Sequence, residues 1–60
     1  MSILTVRERE VAALVLEGLT NAEIAARLYL SEVTVKKHLK SIFEKMDVSN
    51  RTQLVKKMLV

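Results

Sequence analysis

Residues 21–40, NAEIAARLYL followed by SEVTVKKHLK, hold two apolar stripes at helical spacing with almost no chain between them. In the first half, Ile24, Ala25 and Leu28 recur at the 3.6-residue period of one buried helix face, with Ala22 beside them. Tyr29 and Leu30 interrupt the polar side of that pattern, and Ser31 then offers a side-chain oxygen suited to an N-cap. Val35, Leu39, Ile42 and Met46 follow at steps of four, three and four, which is a second buried stripe. So short a break leaves room only for a tight turn, and the segment is constrained to a helix–turn–helix pair.

The flanking chain carries equally local signals. Thr5 and Glu8 are spaced as a capping box, and Thr20 and Glu23 repeat the pattern. Asn50 and Gln53 make a third such cap. Val11, Leu14 and Val15 form the main stripe of a first helix, Ala12 and Leu16 a second ridge, and Gly18 fits the position after its end. Met1 to Leu4 reads as a short lead-in. The expected fold is all-α, with four helices at about residues 6–17, 21–28, 32–46 and 51–60 in one domain spanning 1–60. A chain of 60 residues without proline and with one glycine is a poor candidate for a many-turned β fold.

Composition removes several function classes. There is no cysteine, so disulfides, Cys-ligated zinc and thiol chemistry are excluded; this permits a reducing cytoplasm without proving it, and the location expected for the chain is cytoplasmic. The longest apolar run, Val11 to Leu16, is far below the roughly 20 residues needed to span a bilayer. Arg7 to Glu10 interrupt any signal-peptide pattern. The one histidine, His38, lacks cysteine or an acidic cluster with which to bind metal. His38 and Ser41 are three residues apart, but no third group orients them as base and nucleophile. Neither an enzyme nor a cofactor is expected.

Charge points instead to a polyanion. Residues 1–30 carry Arg7, Arg9 and Arg27 against Glu8, Glu10, Glu17 and Glu23, a net of −1. Residues 31–60 carry seven basic and three acidic side chains, a net of +4. With Val35 at the centre of the buried face, Val33, Lys37 and Lys40 fall within about 40° of the opposite pole, and Thr34 and Lys36 lie on the flanks. A helix that buries one face and offers lysines on the other, behind a short supporting helix, has the layout of a helix-turn-helix reader of double-stranded DNA. Lys37 and Lys40 then approach base edges, with Lys36 a mixed contact. Thr20, Asn21 and Thr34, near helix N-termini, suit phosphate oxygens, and His38 is either packed or a phosphate contact.

These residues resemble the DNA-binding domain of LuxR/NarL-type (GerE-like) bacterial transcription regulators. The matches run through Leu4-Thr5, Arg7 to Val11, Gly18 to Asn21 and Glu23-Ile24-Ala25. They continue through Leu28, Ser31, Thr34-Val35-Lys36, His38, Ile42, Lys45, Val48 and Asn50 to Gln53. The resemblance implies that helix 3 enters the major groove and that helix 4 forms a homodimer. Carried over by position, it makes Lys36, Lys37 and Lys40 groove-facing and Thr20, Asn21 and Thr34 phosphate-side. It also implies a receiver or sensor domain in many relatives, so the chain is expected to be an isolated effector domain or a small stand-alone regulator. RNA polymerase is a further candidate partner. Ala12 and Leu16 reverse the large-then-small order usual at these positions, a swap on one helix face that can conserve volume. Lys37 occupies a position that varies in the family.

Two other readings compete. Region 4 of a bacterial sigma factor is similar from Leu4 through Lys36, but it tends to have further basic residues where this chain has His38 and Leu39, and it lacks the apolar helix 4. A small helical protein-interaction module would use helix 4 and leave the lysines as bystanders. Within helix 4, Leu54 and Met58 are expected to complete the core, while Val55 and Leu59, about 100° round the helix, form the dimer ridge. Glu8 or Glu10 is expected to pair with Arg51.

Overall fold

The computed structural model describes residues 3–59, among which all regular structure is helical. The four helices are α1 (Val6–Leu16), α2 (Asn21–Leu28), α3 (Glu32–Met46) and α4 (Arg51–Leu59). Met1, Ser2 and Val60, expected as lead-in and as the last residue of helix 4, lie outside the described residues.

The starts of the helices follow from the cap residues. Thr5 and Glu8 form a reciprocal capping box, as do Thr20 and Glu23. Ser31 caps α3 by accepting the Thr34 N–H at 3.1 Å. At α4, Asn50 Oδ1 accepts the Gln53 N–H at 2.9 Å, but Gln53 reaches one residue further back than a capping box requires and accepts from Ser49 N–H at 2.7 Å.

The ends share one device. Gly18, Tyr29 and Asp47 follow α1, α2 and α3 with φ of 89°, 58° and 56°. The next amide in each case reaches back five residues: Leu19 to Leu14, Leu30 to Ala25 and Val48 to Phe43, at 3.2, 2.8 and 3.0 Å. These are Schellman closures, and Leu19, Leu30 and Val48 fold back to pack against the core as that motif favours. The first closure ends α1 at Leu16, one residue earlier than expected, with Glu17 as the C-cap. Left-handed backbone costs an L-residue roughly 1–2 kcal/mol, and the Tyr29 side chain, 95% exposed, gains no packing in return. Tyr29→Gly is therefore expected to stabilise the fold by about 0.5–1 kcal/mol in urea unfolding, after glycine's larger entropy loss is subtracted.

α3 packs against both α1 and α2, and α4 closes on α1. The sealed residues are the expected stripes: Val11, Ala12, Ile24, Val35, Ile42 and Leu54 have no exposed surface. Leu28, Met46 and Met58 pack at the rim. Ala12 is sealed while Leu16 is only half-buried, so the small residue faces the centre and the large one the edge. Because α3 packs against both α1 and α2, its outward face is held rigidly.

Candidate nucleic-acid interface

α2 and α3 are joined by Tyr29, Leu30 and Ser31 and pack together, so the helix–turn–helix expected over residues 21–40 is present. Val35, Leu39 and Ile42 are buried, which fixes the rotation of α3 about its axis. Lys36, Lys37 and Lys40 are exposed, as is Val33. The basic row thus faces solvent on the N-terminal and middle turns.

The fourth lysine of α3 is used differently. Glu8, 4% exposed, accepts from Lys45 Nζ and from Ser41 Oγ, both at 2.7 Å, while keeping its capping bond from the Thr5 amide. The Lys45 ammonium, then the Ser41 hydroxyl and the Thr5 amide, hold the Glu8 carboxyl at about 2, well below its ordinary 4.5. Burial opposes this but is outweighed by three donors meeting at one carboxylate. Lys45 is neutralised by an internal partner, so the free positive charge of α3 is confined to Lys36, Lys37 and Lys40. Sequence reading placed Glu8 in the cap but missed Ser41 and Lys45, which sit one turn apart on the flank of the buried stripe.

The expected ion pair between Arg51 and Glu8 or Glu10 does not form. Glu8 is taken by Lys45, and Glu10 pairs loosely with Arg7 at 3.9 Å. Arg51 instead donates to the Leu19 carbonyl and, at 2.9 Å, to Asn21 Oδ1. A guanidinium only donates, so the Asn21 oxygen must face it, leaving the amide NH2 free to donate elsewhere. The start of α4 thereby orients a side chain at the start of α2.

The phosphate-side candidates sit as follows. Thr20 is exposed and its hydroxyl accepts the Glu23 N–H at 3.2 Å. The Thr20 amide, then its hydroxyl, lowers the Glu23 carboxyl below the ordinary carboxylate range. The amides of Asn21 and Ala22, in the first turn, have no intrahelical acceptor. Ser31 Oγ and Thr34 Oγ1 are 2.9 Å apart and share one hydrogen bond, so whichever accepts retains its own O–H to donate. His38 is half-buried on the flank of α3. Of the dimer candidates, Leu59 is 72% exposed and Val55 half-buried beside Leu16 and Gly18. Among the described residues no group of His, Asp and Glu could hold a metal ion, and no helix is long and apolar enough to cross a membrane.

The pH dependence of folding follows from Glu8. A carboxyl held below its unfolded value contributes stability that is fully present above the unfolded 4.5 and is lost as pH falls through about 2. Urea midpoints of the parent should fall across that window, while Glu8→Gln should start lower at neutral pH and fall less steeply. Parallel pH profiles would contradict the assignment.

Comparison with known proteins agrees with this geometry. The sequence profile of the bacterial regulatory proteins of the luxR family matches residues 2–58 and so extends into α4. The monoamine regulon transcriptional regulator of Klebsiella aerogenes is 52% identical over 54 residues, covering 90% of this chain and 24% of that protein. The transcriptional regulatory protein DegU of Brevibacillus brevis is 49% identical over 55 residues, covering 92% of this chain and 23% of that protein. The chain spans about a quarter of the length of these relatives. Among solved structures, a chain from the complex of the anti-activator RapF with the DNA-binding domain of the response regulator ComA superposes with a TM-score of 0.92 at 40% identity. That match covers 97% of this chain and all of the other. The family is one of regulators rather than of enzymes. Four helices in this order, a lysine-bearing third helix and a family match over nearly the whole chain agree: the chain belongs to the luxR family of bacterial regulatory proteins, as one of its helix-turn-helix DNA-binding domains.

Proposed function

We propose that this chain forms one domain that binds double-stranded DNA sequence-specifically as the effector part of a cytoplasmic bacterial transcription regulator. α3 lies in the major groove with Lys37 and Lys40 toward base edges and Lys36 at the side of the groove. The observation that carries this reading is the exposed row of three lysines on a helix whose fourth lysine is neutralised by Glu8. Thr20, Asn21, Thr34 and His38 face the flanking phosphates, with Arg51 orienting Asn21. RNA polymerase is the second partner, since a promoter-bound regulator acts on transcription through it.

Selection of bound sequences from random duplex DNA tests the reading. It should return a defined motif whose affinity falls steeply with salt, as expected when lysines displace phosphate counterions. Recovery of no motif, with affinity indifferent to salt, would overturn it and favour a protein-interaction module.

The domain acts as a homodimer through α4. The support is Leu59, 72% exposed one turn beyond Val55, which with Leu16 is half-buried and lines a shallow depression at the surface. Selected motifs should then be paired half-sites about one helical turn apart, or a multiple of it. The double change Val55→Glu with Leu59→Lys should abolish paired occupancy, and Leu59→Lys alone, at the exposed position, should weaken it while leaving folding intact. A parent that sediments as a monomer even on paired half-sites refutes the dimer.

A further inference from the structure

Val33 is 62% exposed at the second position of α3, one of few large apolar side chains left open to solvent. It has no capping role, because Ser31 and Thr34 supply the cap on either side of it. It also has no packing role, because the buried face of α3 is formed by Val35, Leu39 and Ile42. A β-branched residue in an exposed helical position gains nothing in helix propensity over alanine or lysine. Its place on the helix is more informative. Val33, Lys37 and Lys40 are spaced at i, i+4 and i+7, so the valine continues the lysine row toward the helix N-terminus.

We propose that Val33 is a specificity residue that packs against the C5-methyl group of a thymine in the major groove. This rests on the DNA-binding reading above and adds a base preference to it. The N-terminal turn of a recognition helix is the part nearest the base edges, and thymine alone among the four bases presents a methyl there. A single exposed valine between Glu32 and Thr34, with Lys36 and Lys37 one turn on, is too small an apolar patch in too charged a setting to dock an apolar protein face. A polyanion carrying isolated methyl groups fits both features. The contact lies about 6 Å along the helix axis from Lys37, one turn away, so the thymine sits beside the base pair that Lys37 reads rather than on it.

The test uses uracil, which pairs as thymine does but lacks the methyl. Each thymine of the selected site is replaced singly by deoxyuridine, and the parent, Val33→Ala and Val33→Thr are titrated against every duplex. Loss of one buried methyl contact should weaken parent binding about fourfold at one position and leave other positions unchanged. Val33→Ala should bind the thymine and uracil duplexes equally at that position. Val33→Thr, which retains one methyl, should keep part of the difference. A thymine-to-uracil ratio identical in parent and Val33→Ala at every position overturns the proposal while leaving sequence-specific binding intact. A parent that binds the selected and scrambled duplexes alike removes the DNA-binding reading itself, and the thymine contact with it.

Discussion

Ile42→Ala should leave the domain on the edge of unfolding. Ile42 has no exposed surface and sits in α3, the helix that packs against both α1 and α2. Truncating a sealed isoleucine to alanine removes its transfer free energy and leaves a void that rigid neighbours fill only in part, about 2–5 kcal/mol in all. At roughly 0.05–0.15 kcal/mol per residue, a chain of this length is stabilised by only about 3–9 kcal/mol. Small domains bury a smaller share of their surface, so there is little reserve to absorb the loss. Urea unfolding should show the midpoint fall by about a fifth or more with little change in slope, whereas Ile42→Val should cost about 0.5–1.5 kcal/mol. A loss below about 1 kcal/mol for the alanine variant would mean that the buried face of α3 is not what holds it against α1 and α2.

What could be read from the sequence was local. Thr5 with Glu8 and Thr20 with Glu23 interact across three residues, so residue type and spacing alone determine the bond. The stripes of α1, α2 and α3 were equally legible because a 3.6-residue period survives without knowledge of neighbours. Gly18 announced the end of α1, but Tyr29 and Asp47 take the same left-handed geometry with nothing in a tyrosine to signal it. There the tertiary demand to turn α2 into α3 overrides local preference.

The polar site between α1 and the flank of α3 was not legible. Glu8 meets Ser41 and Lys45 across 33 and 37 residues of chain, and a carboxylate offers no rule for choosing among distant cations. Charge alone suggested Arg51, yet that arginine is satisfied by a carbonyl and an amide. The consequence reaches function. Sequence counted four lysines on α3, while packing leaves three of them free and places them toward its N-terminal half.

Replacing Lys37 or Lys40 with alanine should cost about 1–3 kcal/mol on the best DNA site, or roughly 5- to 150-fold in affinity. Both side chains are exposed, so neither change should disturb folding. A lysine directed at guanine O6 or N7 loses a base-specific bond, and preference at one position should relax with it. Thr20, Asn21 and Thr34 stand near helix N-termini, and their alanine variants should weaken binding to every sequence by similar factors. Lys36, nearer the edge, should fall between the two patterns. The most direct test is to titrate these alanine variants on the selected site and on scrambled duplex, each at two salt concentrations. Larger losses for Lys37→Ala and Lys40→Ala on the selected site than on the scrambled one are the predicted result. Equal losses on both duplexes would falsify the reader assignment and reduce the exposed face of α3 to a nonspecific phosphate clamp.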